Sequence, residues 1–85
     1  EAGCVPIPGG MAAGIWKVME CESKFDPRAV GRIGERGVLQ IAPVHRARIE
    51  RMGFTWDEMF EVPANIAVAA TIFNEQGWRP WSCKP

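Results

Sequence analysis

Helix breakers limit how this chain can fold, because prolines and glycines cut its 85 residues into short pieces. Residues 4–10, "CVPIPGG", read as an irregular arm. From Met11 to about Ser23 the pattern turns helical, with no proline and apolar residues at 11, 15, 18 and 19. Asp26-Pro27 then disfavours further helix, since the ring restricts the residue before it and removes an amide donor. The next segment, "GRIGERGVLQIAP", is glycine-punctuated and then apolar, which predicts a loop and a short extended stretch resembling an abbreviated hairpin. No Lys-Ser/Thr follows its glycines and no strand precedes them, so their spacing serves turn geometry and not phosphate binding.

Pro43 fits a first helical position, with a helix to Met52 closed by Gly53. Thr55 and Glu58 form a capping-box pattern for one or two turns. The last helix is predicted over Ala64 to Gln76, with Ile66, Ala69, Ile72 and Phe73 on its apolar face and Gly77 at its end. The class is therefore mainly α, with about four helices and little or no β-sheet. The division is an N-terminal arm over 1–10 and one domain over 11–85.

A chain this short buries only about 60% of its unfolded surface, so its core is thin and covalent help is useful. Ten basic and ten acidic residues cancel, which argues against a nucleic-acid binder or a membrane-surface protein. No apolar run approaches the ~20 residues that span a bilayer. Residues 1–10 lack the features of a secretory signal, so any export segment is expected outside this sequence. Three cysteines allow one internal pair and leave one thiol over. A zinc site would need Cys4, Cys21, Cys83 and His45 to converge without ligand spacing; a disulfide in an extracytoplasmic protein is the better reading. No metal or organic cofactor is implied.

Glu22 is the candidate for chemistry. At about 100° per residue, Met11, Ile15, Val18 and Glu22 share a narrow band, while Lys17 and Glu20 point away. A carboxyl drawn out of water favours its protonated form, as a general acid requires. The alternative is a helix that frays after Met19 and leaves Glu22 to water or an arginine.

The stretches "ESKFDPRAVG", "GVLQIAP" and "FEVPANIAVAATIF" together resemble the lysozyme-like lytic transglycosylases, the soluble lytic transglycosylase and goose-type lysozyme group. The family's Glu-Ser-x-Phe-x-Pro-x-Ala motif, which supplies the catalytic acid, maps onto Glu22, Ser23, Phe25, Pro27 and Ala29. Its Gly-x-x-Gln-[Ile/Leu] motif maps onto Gly37 and Gln40, and its Asn-Ile-x-x-Ala motif onto Asn65, Ile66 and Ala69. Cys21 and "WRPWSC" (Trp78, Trp81, Cys83) are similar to the short form found in actinobacterial cell-wall enzymes and phage endolysins. That form implies a Cys21–Cys83 disulfide, with Cys4–Cys83 as the competing pairing. Longer family members carry a tyrosine that hydrogen-bonds the catalytic acid. This chain has no tyrosine, so Glu22 must be oriented by Ser23, Gln40 or a backbone group.

The resemblance implies a small lysozyme-like domain that cleaves the β-1,4 bond between N-acetylmuramic acid and N-acetylglucosamine in peptidoglycan, with Glu22 as general acid and base. Ser23, Gln40, Asn65 and Trp81 are the expected substrate-binding residues, although for Asn65 a structural role, as a first-turn polar group or a buried partner for another backbone, ranks ahead of substrate contact. Trp78 and Trp81 serve the core or the cleft edge. His45 reads as a packed structural residue, and Arg46, Arg48 and Arg51 as a solvated face. Ser23 lacks the His–Asp partners of a nucleophile. Asp26 and Glu35 stand nearest in sequence as a second carboxylate, with Asp26 read as shaping the turn before Pro27. The expected setting is extracytoplasmic, at the bacterial cell wall, as a monomeric part of a longer secreted or phage-delivered protein. Its partner is the glycan strand, with no nucleic acid and no membrane insertion. The competing expectation is a peptidoglycan-binding domain that kept the fold and lost the reaction.

Overall fold

A computed structural model describes residues 7–85; Cys4 and most of the expected arm lie outside them. Four α-helices follow in order: α1 (Gly9–Ala12), α2 (Ile15–Ser23), α3 (Arg46–Arg51) and α4 (Val62–Gln76). Single 3₁₀ turns precede α3 (Pro43–His45) and α4 (Asp57–Phe60). Among the described residues the β structure is confined to two isolated bridges, Val30 with Arg36 and Arg36 with Ile41. The chain is thus mainly helical, as its breakers require.

The helix expected from Met11 to Ser23 is two helices. Ala13 and Gly14 interrupt it, and Gly14 adopts φ −130° and ψ 0°. Packing requires glycine at the break: a Cβ on Gly14 would overlap the ring of Pro85, so the C-terminus closes against it. The apolar band survives the interruption. Met11 and Val18 are fully buried and Ile15 and Glu22 half-buried, whereas Trp16, Lys17 and Glu20 are exposed. Glu22 therefore sits on the inward side of a helix that does not fray before it.

α4 is the central element. It begins two residues before the expected start, with Pro63 in its first turn, where no intrahelical donor is needed. Ala64, Asn65, Ala67, Val68, Ala69, Ala70 and Ile72 are all buried, so other segments cover more than the single face read from its periodicity. Its alanines let those segments approach closely. Met11, Leu39, Ile41, Ile49 and Met59 complete the core around it.

Two further contacts lock the periphery. Glu58 Oε1 accepts the Thr55 N–H (2.7 Å) and Thr55 Oγ1 accepts the Glu58 N–H (3.2 Å), the reciprocal capping box, here on a 3₁₀ turn. Arg48 corrects the expectation of a solvated arginine face. Its guanidinium donates to both Glu75 carboxylate oxygens (2.9 and 2.5 Å) and to Thr71 Oγ1 (3.3 Å), tying α3 to α4. Arg46 and Arg51 are exposed, as expected.

Candidate active site

The end of α2 is built with local strain. Lys24 caps the helix in the left-handed conformation (φ 53°), and Phe25 follows it there (φ 61°). Such residues cost about 1–2 kcal/mol each when they are not glycine, so the surrounding structure must hold them. Asp26 Oδ1 then accepts the Arg28 N–H (2.9 Å), which makes Asp26 a turn residue, exposed and outside the cleft.

The chain returns toward Glu22 through residues 29–41. Gly31 N–H donates to Glu35 O (2.8 Å), Gly37 N–H to Ala29 O (2.9 Å), and Arg36 and Ile41 exchange both backbone bonds (3.0 and 2.9 Å). This is the abbreviated hairpin, reduced to its pairing points. The turn 37–40 at its tip is held on every side by residues from elsewhere. Ser23 Oγ lies 2.9 Å from Val38 O and 3.1 Å from Met19 O. Asn65 Oδ1 accepts the Leu39 N–H (3.1 Å), and its Nδ2 donates to Arg36 O and Met59 O (2.9 Å each). Trp81 Nε1 donates to Leu39 O (2.8 Å). Gly37 is required here, since its φ is +81° and a Cβ would overlap Met59 O and the Asn65 amide.

These bonds correct two of the expected substrate contacts. Ser23 (9% exposed) and Asn65 (0%) are buried with their polar atoms committed to backbone groups, so they hold the turn and do not reach a ligand. Buried polar groups must be paired, and here the pairing is with the loop itself. The turn they hold delivers Gln40. Gln40 adopts φ 50°, and its Nε2 donates to Ala29 O (3.2 Å) and Gly37 O (3.0 Å). Its Oε1 lies beside Gly31, as does Glu35 Oε1, which accepts the Ile33 N–H (3.1 Å).

Glu22, Glu35, Gln40, His45 and Trp81 line one open cleft of about 230 Å³, walled also by Ile33 and Ile72. Of the residues expected at the site, the structure therefore brings together Glu22, Gln40 and Trp81. Glu35, a candidate second carboxylate by sequence, lines the cleft too, as does His45, expected only as a packed structural residue. Burial pushes the His45 imidazole below its ordinary value, the Arg48 charge pushes it further, and Glu75 opposes both. His45 thus contributes a neutral ring to the cleft at neutral pH.

Glu22 Oε2 accepts the backbone N–H of Cys83 at 3.1 Å. Cys83 is joined to Cys21 by a disulfide (Cα–Cα 6.0 Å), so the residue bonded to the neighbour of Glu22 also supplies its hydrogen bond. Trp81 is clamped between its bond to Leu39 and an edge-on contact with Trp78 (5.2 Å), which itself meets Phe73 (4.9 Å). The C-terminal segment is thereby pinned beside the cleft. The sequence offered no side-chain signal for this donor, since it is a main-chain amide; the two cysteines were the only pointer.

The described residues contain no cluster of three or more candidate metal ligands, and no helix is long and apolar enough to cross a membrane. Comparison with curated proteins and with solved structures found no match. A family model, the Transglycosylase SLT domain, matches residues 8–78, the span that carries Glu22, the 29–41 loop and α4. With that match over most of its length, the chain belongs to the transglycosylase SLT domain family, the lytic transglycosylases that act on peptidoglycan.

Proposed function

We propose that Glu22 is the single general acid and base for cleavage of the β-1,4 bond between N-acetylmuramic acid and N-acetylglucosamine. The observation that carries this is the half-buried Glu22 carboxyl in an open cleft with Oε2 fixed by the Cys83 amide. An oxygen that faces an N–H donor serves as acceptor, which leaves Oε1 to carry the proton in the acid form. That proton passes to the glycosidic oxygen as the bond breaks. The resulting carboxylate then takes the proton of the muramyl 6-hydroxyl, whose oxygen closes on C1 to give a 1,6-anhydro end. Gln40 offers its amide oxygen to sugar hydroxyls, while the nearly buried Trp81, bonded to Leu39 O, holds the cleft wall in place. Glu22→Gln should lower release of soluble fragments from purified cell walls by at least about 100-fold. Equal rates for the two proteins would remove the catalytic role and leave a glycan-binding domain, which sedimentation with insoluble peptidoglycan would register.

The position of Glu35 supports a second outcome from the same site. A second carboxylate across a cleft is what a hydrolase needs to direct water or stabilise the sugar cation, and Glu35 lines the cleft with Glu22. Mass spectrometry of the products decides: reducing ends that vanish in Glu35→Gln assign hydrolysis to this pair, and anhydro ends alone exclude it.

The setting we propose is extracytoplasmic, where a disulfide persists. The domain would act there as a monomeric module of a longer endolysin or secreted wall enzyme of the short Cys-Glu-Ser … Trp-x-x-Trp-x-Cys form. The Cys21–Cys83 bond supports that reading.

A further inference from the structure

We infer that Cys83 is a positioning residue: its backbone amide aims the Glu22 carboxyl, and its disulfide to Cys21 holds that amide in place. The inference rests on Glu22 carrying the reaction. Among the described residues, the Cys83 N–H is the hydrogen-bond donor found on the Glu22 carboxylate. Cys83 lies 61 residues along the chain from Glu22, in a segment that follows the last helix and has no regular structure of its own. Two anchors act before and at Cys83, and Pro85 packs against Gly14 beyond it. Trp81 is nearly buried, with its indole bonded to Leu39 O, and this anchor does not depend on sulfur. The disulfide is the second, and it acts beyond Trp81, on Cys83 itself.

The two anchors divide the work. Trp81 keeps the C-terminal segment docked and the cleft wall closed. The disulfide fixes the two residues after it, and with them the amide that meets Oε2. Breaking the sulfur bridge with a dithiol therefore perturbs the acid more than the wall. The dithiol delivers two electrons and two protons, Cys21 and Cys83 become thiols, and the reagent closes into its own disulfide. Glu22 then loses a fixed donor while Gln40, Glu35 and Trp81 keep their positions.

The experiment compares initial rates on soluble peptidoglycan fragments for oxidised wild type, the dithiol-reduced protein, and a Cys21→Ser/Cys83→Ser variant that cannot exchange with Cys4. Oxidised Glu22→Gln is run alongside. If oxidised wild type does not outpace Glu22→Gln, the role of Glu22 fails and takes this inference with it. If it does, the expected result is a kcat about ten- to a hundredfold lower in both disulfide-free forms, with KM little changed. Far-ultraviolet circular dichroism and tryptophan fluorescence should match the oxidised protein, and reoxidation should restore the wild type alone. Full kcat in the folded, reduced protein overturns the proposal, and so does a rise in KM with kcat intact.

A second form covers the case in which reduction unfolds the chain. Residues 1–82 are ligated to a tripeptide carrying N-methylated Cys83, Lys84 and Pro85, which keeps the disulfide and replaces the amide hydrogen with a methyl group. The same kcat loss, relative to ligation with ordinary cysteine, is expected. An unchanged kcat there refutes the positioning role.

Discussion

Replacing Asn65 with alanine would strand the Leu39 amide and the Met59 carbonyl beside a side chain with no solvent access, and would leave the Arg36 carbonyl with the Ile41 amide alone. An unpaired buried polar group costs about 1–3 kcal/mol, so the expected loss is roughly 2–4 kcal/mol, read as a lower urea midpoint. Activity should fall further than the folded fraction, because the same amide holds the turn that carries Gln40. The residues flanking this turn show what side chains alone could and could not tell. Glu22 was legible, since its place on the apolar band follows from helix geometry. Ser23 and Asn65 were assigned to the ligand because their family motifs were legible, while the backbone groups they meet lie 15 and 26 residues away. Separation of that order leaves no local trace.

The contact between α3 and α4 carries the pH dependence. His45 ends the 3₁₀ turn before α3, beside Arg48 and Glu75. Burial first and the Arg48 charge second hold its folded pKa below the ordinary 6.5. The unfolded chain therefore binds a proton that the folded chain refuses. Stability is full above the unfolded value and falls as pH drops through about 6.5 toward the lower folded value. The urea midpoint of the wild type should fall between about pH 7.5 and pH 5.5, and His45→Asn should flatten that change. Glu75, held below its usual range chiefly by its bond to Arg48, adds a loss only at more acid pH. Among these elements, α4 and the capping box were readable from periodicity and spacing. The break at Gly14 was not, because it answers to Pro85 at the far end of the chain.

The disulfide spans 62 residues and joins the end of α2 to the C-terminal segment. In the chain-entropy model a closed loop of this size is worth about 4 kcal/mol, a large share of what so small a domain holds. Reduction should lower the urea midpoint by a corresponding amount, and the Cys21→Ser/Cys83→Ser variant should match the reduced protein. A midpoint indifferent to reduction would mean that the core alone sustains the fold. With only about 60% of the unfolded surface buried at this size, that outcome is not expected. The same bridge brings the Cys83 amide to Glu22, so stability and the placement of the acid share one covalent link.

By itself the sequence determined the mainly helical class, the inward face of Glu22 and the breaks that keep each element short. These are local properties, set by residue spacing of four or fewer and by the rigidity of proline. Its motifs also carried the family. Only the tertiary structure decided which residues meet in the cleft, that Ser23 and Asn65 serve the loop, and that a main-chain amide meets the Glu22 carboxyl. Those contacts join positions far apart in the chain, and a backbone amide is identical in every residue but proline. Its role is fixed by where the fold puts it.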